Sequence, residues 1–128
     1  MHDEPNLYQY AVIRFVPKVE REEFINIGLI LFSKKARYIR MEYHLCPDKF
    51  KAFCPEIDCD EIHATLATMK GISEGDSGYG PLATLDISER FRWLTAVRSS
   101  VIQSSPSHPG KSTDLDKTFE RLFDELVK

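Results

Sequence analysis

Residues 8–17 and 23–32 are two runs of β-branched, aromatic and aliphatic side chains separated by the mostly charged stretch 18–22. Runs of this composition joined so closely read as the two strands of an antiparallel hairpin. Along the first run Tyr8, Tyr10, Val12, Arg14 and Val16 share one face and Gln9, Ala11, Ile13 and Phe15 the other. Both faces are largely apolar, which predicts a central strand with partial cover on its second face. Along the second run, strict alternation puts Ile25, Ile27, Leu29 and Leu31 on one face and Phe24, Asn26, Gly28, Ile30 and Phe32 on the other. Arg14, Asn26 and Gly28 interrupt otherwise apolar runs. A polar group buried there without a partner costs about 1–3 kcal/mol, which makes such positions candidates for a site.

Beyond the basic turn at 34–37, Tyr38 to Leu45 alternates and predicts a half-exposed third strand. Asp58 with Glu61 forms a capping box ahead of Cys59, Ile62, Leu66 and Met69 at helical spacing, with Gly71 as the expected stop. Residues 71–80 hold four glycines and read as a loop, without the Gly-Lys-Ser/Thr of a P-loop. Asp86 and Glu89 open a second helix carrying Ile87, Phe91 and Leu94. Val101-Ile102-Gln103 is a short fourth strand, and Leu115, Phe119, Leu122, Phe123 and Leu126 line one face of a final helix. The prediction is a single α+β domain over residues 1–128, an antiparallel sheet of three to four strands with about three helices packed mainly on one face.

Seventeen Lys and Arg against twenty Asp and Glu argue against nucleic acid or an anionic membrane as a general partner, so any anion site is local. No apolar run reaches the roughly 18–20 residues of a membrane span, and the first residues lack a signal-peptide pattern. Three cysteines without framework spacing suit a reducing compartment, and the expectation is a cytoplasmic protein. Cys46, Cys54, Cys59, His44 and His63 do not repeat the short Cys pairs of structural zinc sites, so neither a metal nor another cofactor is expected. Lys34, Lys35, Arg37 and Arg40 surround Tyr38 and read as a solvated turn that discourages edge pairing, with nucleic-acid contact the lesser reading.

Arg14-Phe15-Val16-Pro17, Glu23-Phe24-Ile25-Asn26-Ile27-Gly28, and Phe91-Arg92-Trp93-Leu94-Thr95-Ala96 with Arg98-Ser99-Ser100-Val101-Ile102-Gln103-Ser104-Ser105 together resemble the bacterial family known as domain of unknown function 3037. The resemblance spans almost the whole chain. It implies a bacterial cytoplasmic protein without an established activity, and a partner role beside a kinase-like protein similar to HipA toxins. The family pattern has Gly before the hairpin glutamate, where this chain has Glu22.

The polar residues at these family-like positions are Arg14, Glu23, Asn26, Arg98, Ser99, Gln103, Ser105 and His108. Arginine forks and Ser hydroxyls suit an anion nest, and Arg14, Arg98, Ser99, Ser105 and His108 are its candidates. The competing reading pairs Arg14 with Glu23 or another carboxylate as a structural ion pair. Gly28 marks a bulge, a close approach, or a seat for Trp93 or Tyr10. The function read from the sequence is a binding or partner module with an anion or phosphate-ligand pocket formed by Arg14, Asn26, Arg98, Ser99, Gln103 and Ser105. The alternative is a small enzyme acting on a phosphate-containing substrate or nucleic acid, with Glu23 or His108 as general acid or base. Catalysis has no positive signal, and the sequence sets no oligomeric state.

Overall fold

The long strand β1 (Asn6–Phe15) organises the chain because every other part of the sheet depends on it. The structure is a computed structural model and describes residues 4–17, 23–48, 52, 58–96 and 101–128. On one side β1 pairs antiparallel with β2 (Ile25–Ser33), which pairs with β3 (Tyr38–Tyr43). On its other side β1 carries two short strands end to end, β4 (Ile102–Ser104) opposite residues 13–15 and β5 (His108–Ser112) opposite residues 6–10. The result is the expected α+β class with an open antiparallel sheet, five strands filling four positions.

The break between β4 and β5 is closed by Ser105. Its backbone N–H donates to the Val12 carbonyl at 2.8 Å, and its hydroxyl accepts the Val12 N–H at 2.9 Å. A buried side chain thus stands in for the missing ladder carbonyl, satisfying a backbone donor that would otherwise be orphaned.

β5 lies outside the sequence expectation because Pro109 and Gly110 weaken any strand signal. Proline is tolerated there since β5 is an edge. Gly110 lies in register with Tyr8, and the Tyr8 ring fills the space a side chain at 110 would take.

Helices cover both faces. On one, α1 (Cys59–Ser73) buries Ile62, Leu66, Met69 and Ile72, and α2 (Ile87–Thr95) buries Ile87, Phe91 and Leu94, against Ala11, Ile13, Phe15, Ile30 and Phe32. On the other, α3 (Leu115–Leu126) buries Leu115, Phe119, Leu122 and Phe123 against Tyr8, Val12, Leu29 and Leu31. This two-sided cover is what the apolar faces of the first two runs required. Each of these three helices begins with an aspartate, Asp58, Asp86 or Asp114, whose carboxylate accepts a first-turn N–H and so answers an unpaired donor. Two short 3-10 turns, Ser77–Tyr79 and Pro81–Thr84, link α1 to α2.

Gly71 does not stop α1, which runs on to Ser73. The glycine serves packing instead, since the Tyr79 ring lies where its side chain would be. The end of the helix is held from α2, where the Arg90 guanidinium donates to the carbonyls of Ser73 at 2.9 Å and Leu85 at 3.0 Å.

The basic cluster is also divided. Arg40 bonds Glu120 at 2.6 Å and Asp116 at 3.3 Å and lies 4.4 Å above the Phe119 ring, fastening α3 to the edge strand β3. Tyr38 donates to Asp116 at 2.6 Å. Burial, then the bond to Asp116, pushes the Tyr38 phenol up to about 12. An unfolded tyrosine releases its proton near pH 10. Between about pH 10 and 12 the folded state therefore holds a proton that the unfolded state has lost. The stabilisation is complete below pH 10 and is lost as pH rises through the folded value. Phenolate absorbance during alkaline titration is expected to show one tyrosine ionising late, with that step missing in Tyr38→Phe.

Candidate functional site

The pairing of β1 with β2 shifts between Ile13, which faces Gly28, and Arg14, which faces Asn26, leaving Ile27 as an extra residue on β2. This is a β-bulge, and it changes which way the first residues of β2 point. Ile25 and Ile27 join the core under α1 and α2, contrary to the strict alternation expected from sequence, while Asn26 turns to the α3 face. Gly28 sits at the bulge because a side chain there would press on Ile13 and on the Glu42 carbonyl, each 3.2 Å away. Of Trp93 and Tyr10, the expected covers for Gly28, Trp93 is exposed on α2, and the atoms nearest to a side chain at 28 belong to Ile13 and Glu42 instead.

The bulge completes a row across the sheet. Gln103 on β4, Arg14 on β1 and Asn26 on β2 are successive register partners, which puts all three side chains on the α3 face, near the C-terminal end of that helix. Asn26 donates from Nδ2 to the Leu126 carbonyl at 3.0 Å. That bond fixes the amide, because a flipped amide would set two acceptors against each other. Its Oδ1 is buried and has no hydrogen-bond partner among the described residues, and neither has Arg14 Nε.

Phe24, 46% exposed, lies over the Arg14 guanidinium with the ring centroid 4.2 Å from Cζ. The ion pairs among the described residues do not include Arg14, so its expected pairing with Glu23 gives way to this ring contact. Beside the row opens a cleft of about 590 Å³ lined by Phe24, Ile25, Asn26, Leu126, Val127 and Lys128. Its volume lies within the usual range of small-ligand sites.

Ser105 and His108 are placed away from this cleft. Ser105 is consumed by the β4–β5 junction, donating its own proton to the Pro106 carbonyl at 2.8 Å. His108 pairs with Tyr10, its ring 5.2 Å from the Tyr10 ring. Tyr10 precedes Arg14 by four residues, about 13 Å along an extended strand. Glu23 is exposed just before Phe24. Arg98 and Ser99, like Glu22 and Cys54, lie outside the described residues. Sequence reasoning missed Phe24 and the Leu126 carbonyl. Phe24 stood at the start of an apolar run, where it reads as one more strand residue, and a backbone carbonyl leaves no residue-type signal.

Among the described residues, no helix is long and apolar enough to cross a membrane. A family model described as a protein of unknown function, DUF3037, matches residues 10–127. No curated protein and no solved structure matches the chain.

Proposed function

Because the chain belongs to the DUF3037 family, whose function is unknown, we propose from its geometry that it is a binding module whose cleft beside Asn26 takes a peptide-like segment of a partner. The observation that carries this is a pair of buried atoms on register partners, the donor Arg14 Nε–H and the acceptor Asn26 Oδ1, neither with a hydrogen-bond partner among the described residues. A ligand that satisfies both must offer an acceptor and a donor, as the C=O and N–H of one residue in an extended peptide do. The apolar walls from Phe24, Ile25 and Val127 suit an aliphatic side chain next to that group. Phe24 is the cover that moves, since both atoms are shielded from water and its exposed ring lies over the guanidinium.

A bare phosphate fits less well. Its oxygens would satisfy Arg14, but it could meet Asn26 Oδ1, whose direction the bond to Leu126 fixes, only through a P–OH. The enzyme reading needs Glu23 or His108 near Arg14; His108 pairs with Tyr10, about 13 Å along β1 from Arg14, and Glu23 is exposed. A kinase-like partner, suggested by the family resemblance, would have to present such a segment.

The test is an NMR titration of nitrogen-15-labelled protein with a capped Gly-Leu-Gly peptide and, separately, with inorganic phosphate at millimolar concentration. The peptide is expected to shift the Arg14 Nε–H and Asn26 side-chain signals, with the response lost in Arg14→Lys, which keeps the charge and loses the guanidinium fork. A response to phosphate alone, or to neither probe, overturns the reading.

A further inference from the structure

On the α1/α2 face, at the opposite end of β1, the helices leave part of the sheet bare. Leu7, 64% exposed, sits on the face that elsewhere holds core residues, beside Phe32 and Pro109 in a cleft of about 660 Å³. Lys34 and Lys35 form one wall. Lys111, in register with Leu7 and so on the same face, stands on the other side. The ion pairs among the described residues include none of these three lysines, and no acidic side chain lines the cleft.

The shape is held in place. The Ser33 hydroxyl, almost fully buried, donates to the Leu7 carbonyl at 2.7 Å, tying the floor to the residue that begins the Lys34–Lys35 turn. Phe91 stacks on Phe32 at 4.9 Å and closes the end toward α2.

An apolar floor with cations on both sides is complementary to a ligand that carries apolar side chains between carboxylates. We infer that this cleft docks an acidic peptide segment with an aliphatic anchor that covers Leu7. The cleft lies between an open turn and an edge strand, so it lacks the enclosure that an acyl chain needs. Stacked nucleobases find no aromatic platform, because Phe32 is already stacked on Phe91.

The test is fluorescence anisotropy with a labelled ten-residue peptide of alternating Asp and Leu, against a control of alternating Lys and Leu. The acidic peptide is expected to bind and the basic one not, with affinity falling as salt is raised. Lys34→Glu with Lys35→Glu is expected to weaken binding at least tenfold, and Leu7→Ser about tenfold. All three side chains are exposed, so the variants should keep the parent melting temperature. Arg14→Lys should bind as the parent does, which separates this cleft from the one beside Asn26. Equal binding of both peptides, no binding of the acidic one, indifference to the substitutions, or a stronger response to oleate each overturns the inference.

Discussion

Phe119→Ala is expected to lower stability by about 3–5 kcal/mol, the range for deleting a large aromatic from a close-packed interior. Phe119 is 1% exposed at the centre of the core between α3 and the sheet, and its ring lies 6.0 Å from that of Phe123. The truncation also removes the surface under Arg40, whose bonds to Asp116 and Glu120 then hold α3 without the ring between them. Partly exposed ion pairs of this kind contribute little alone. Against a total of roughly 5–15 kcal/mol for an ordinary domain, the loss should move the urea midpoint far down. Phe119→Leu, which keeps most of the volume, should cost clearly less. A loss below about 1 kcal/mol for the alanine variant would mean that α3 contributes little to folding. The Asn26 bond to Leu126 could not then owe its geometry to a firmly docked helix.

Gly110→Val is expected to cost about 3 kcal/mol, the upper part of the overpacking range. A Cβ at 110 would fall 2.4 Å from the Tyr8 ring, and that ring is only 8% exposed, packed against the α3 core. Covering a strand glycine with a cross-strand aromatic keeps water from the backbone there and leaves no room for a side chain. The claim is therefore about a pair of residues. In a Tyr8→Ala background the same substitution should cost close to nothing, and the difference between the two backgrounds is the coupling of Tyr8 with position 110. Equal penalties in both would place the cost in the β5 backbone instead.

The hairpin, the third strand and these three helices are legible because each carries a local pattern: apolar β-branched and aromatic runs in β1 and β2, alternation in β3, aspartate caps before α1 and α2, and an apolar stripe along α3. What escapes the sequence depends on residues far apart in the chain. β5 is masked by Pro109 and Gly110, whose edge position and Tyr8 cover make them acceptable only once β1 is alongside. Gly71 looks like a helix stop until Tyr79 is seen to occupy its missing side chain.

The bulge at Ile27 is a single extra residue, and it reverses Ile25, Asn26 and Ile27, which alternation assigns with equal force the other way. The candidate site divides in the same manner. Arg14, Asn26 and Gln103 stand out as polar residues in apolar surroundings, but their alignment needs the register of β1 with β4. Ser105 shares that polar signature and serves the backbone instead.

That register has a cost in time. Val12 and its partner Ser105 are 93 residues apart. At a synthesis rate of about 5–20 residues per second, the second edge of β1 stays open for roughly 5–20 s after β1 itself has been made. A nascent hairpin of β1 and β2 with one unpaired edge is a template for pairing with another chain. Crowded ribosomes translating one message would bring such edges close together. Yield on overexpression should therefore depend on how fast the codons that lead up to and encode β4 and β5 are read, and slowing them should increase aggregation without changing the finished fold.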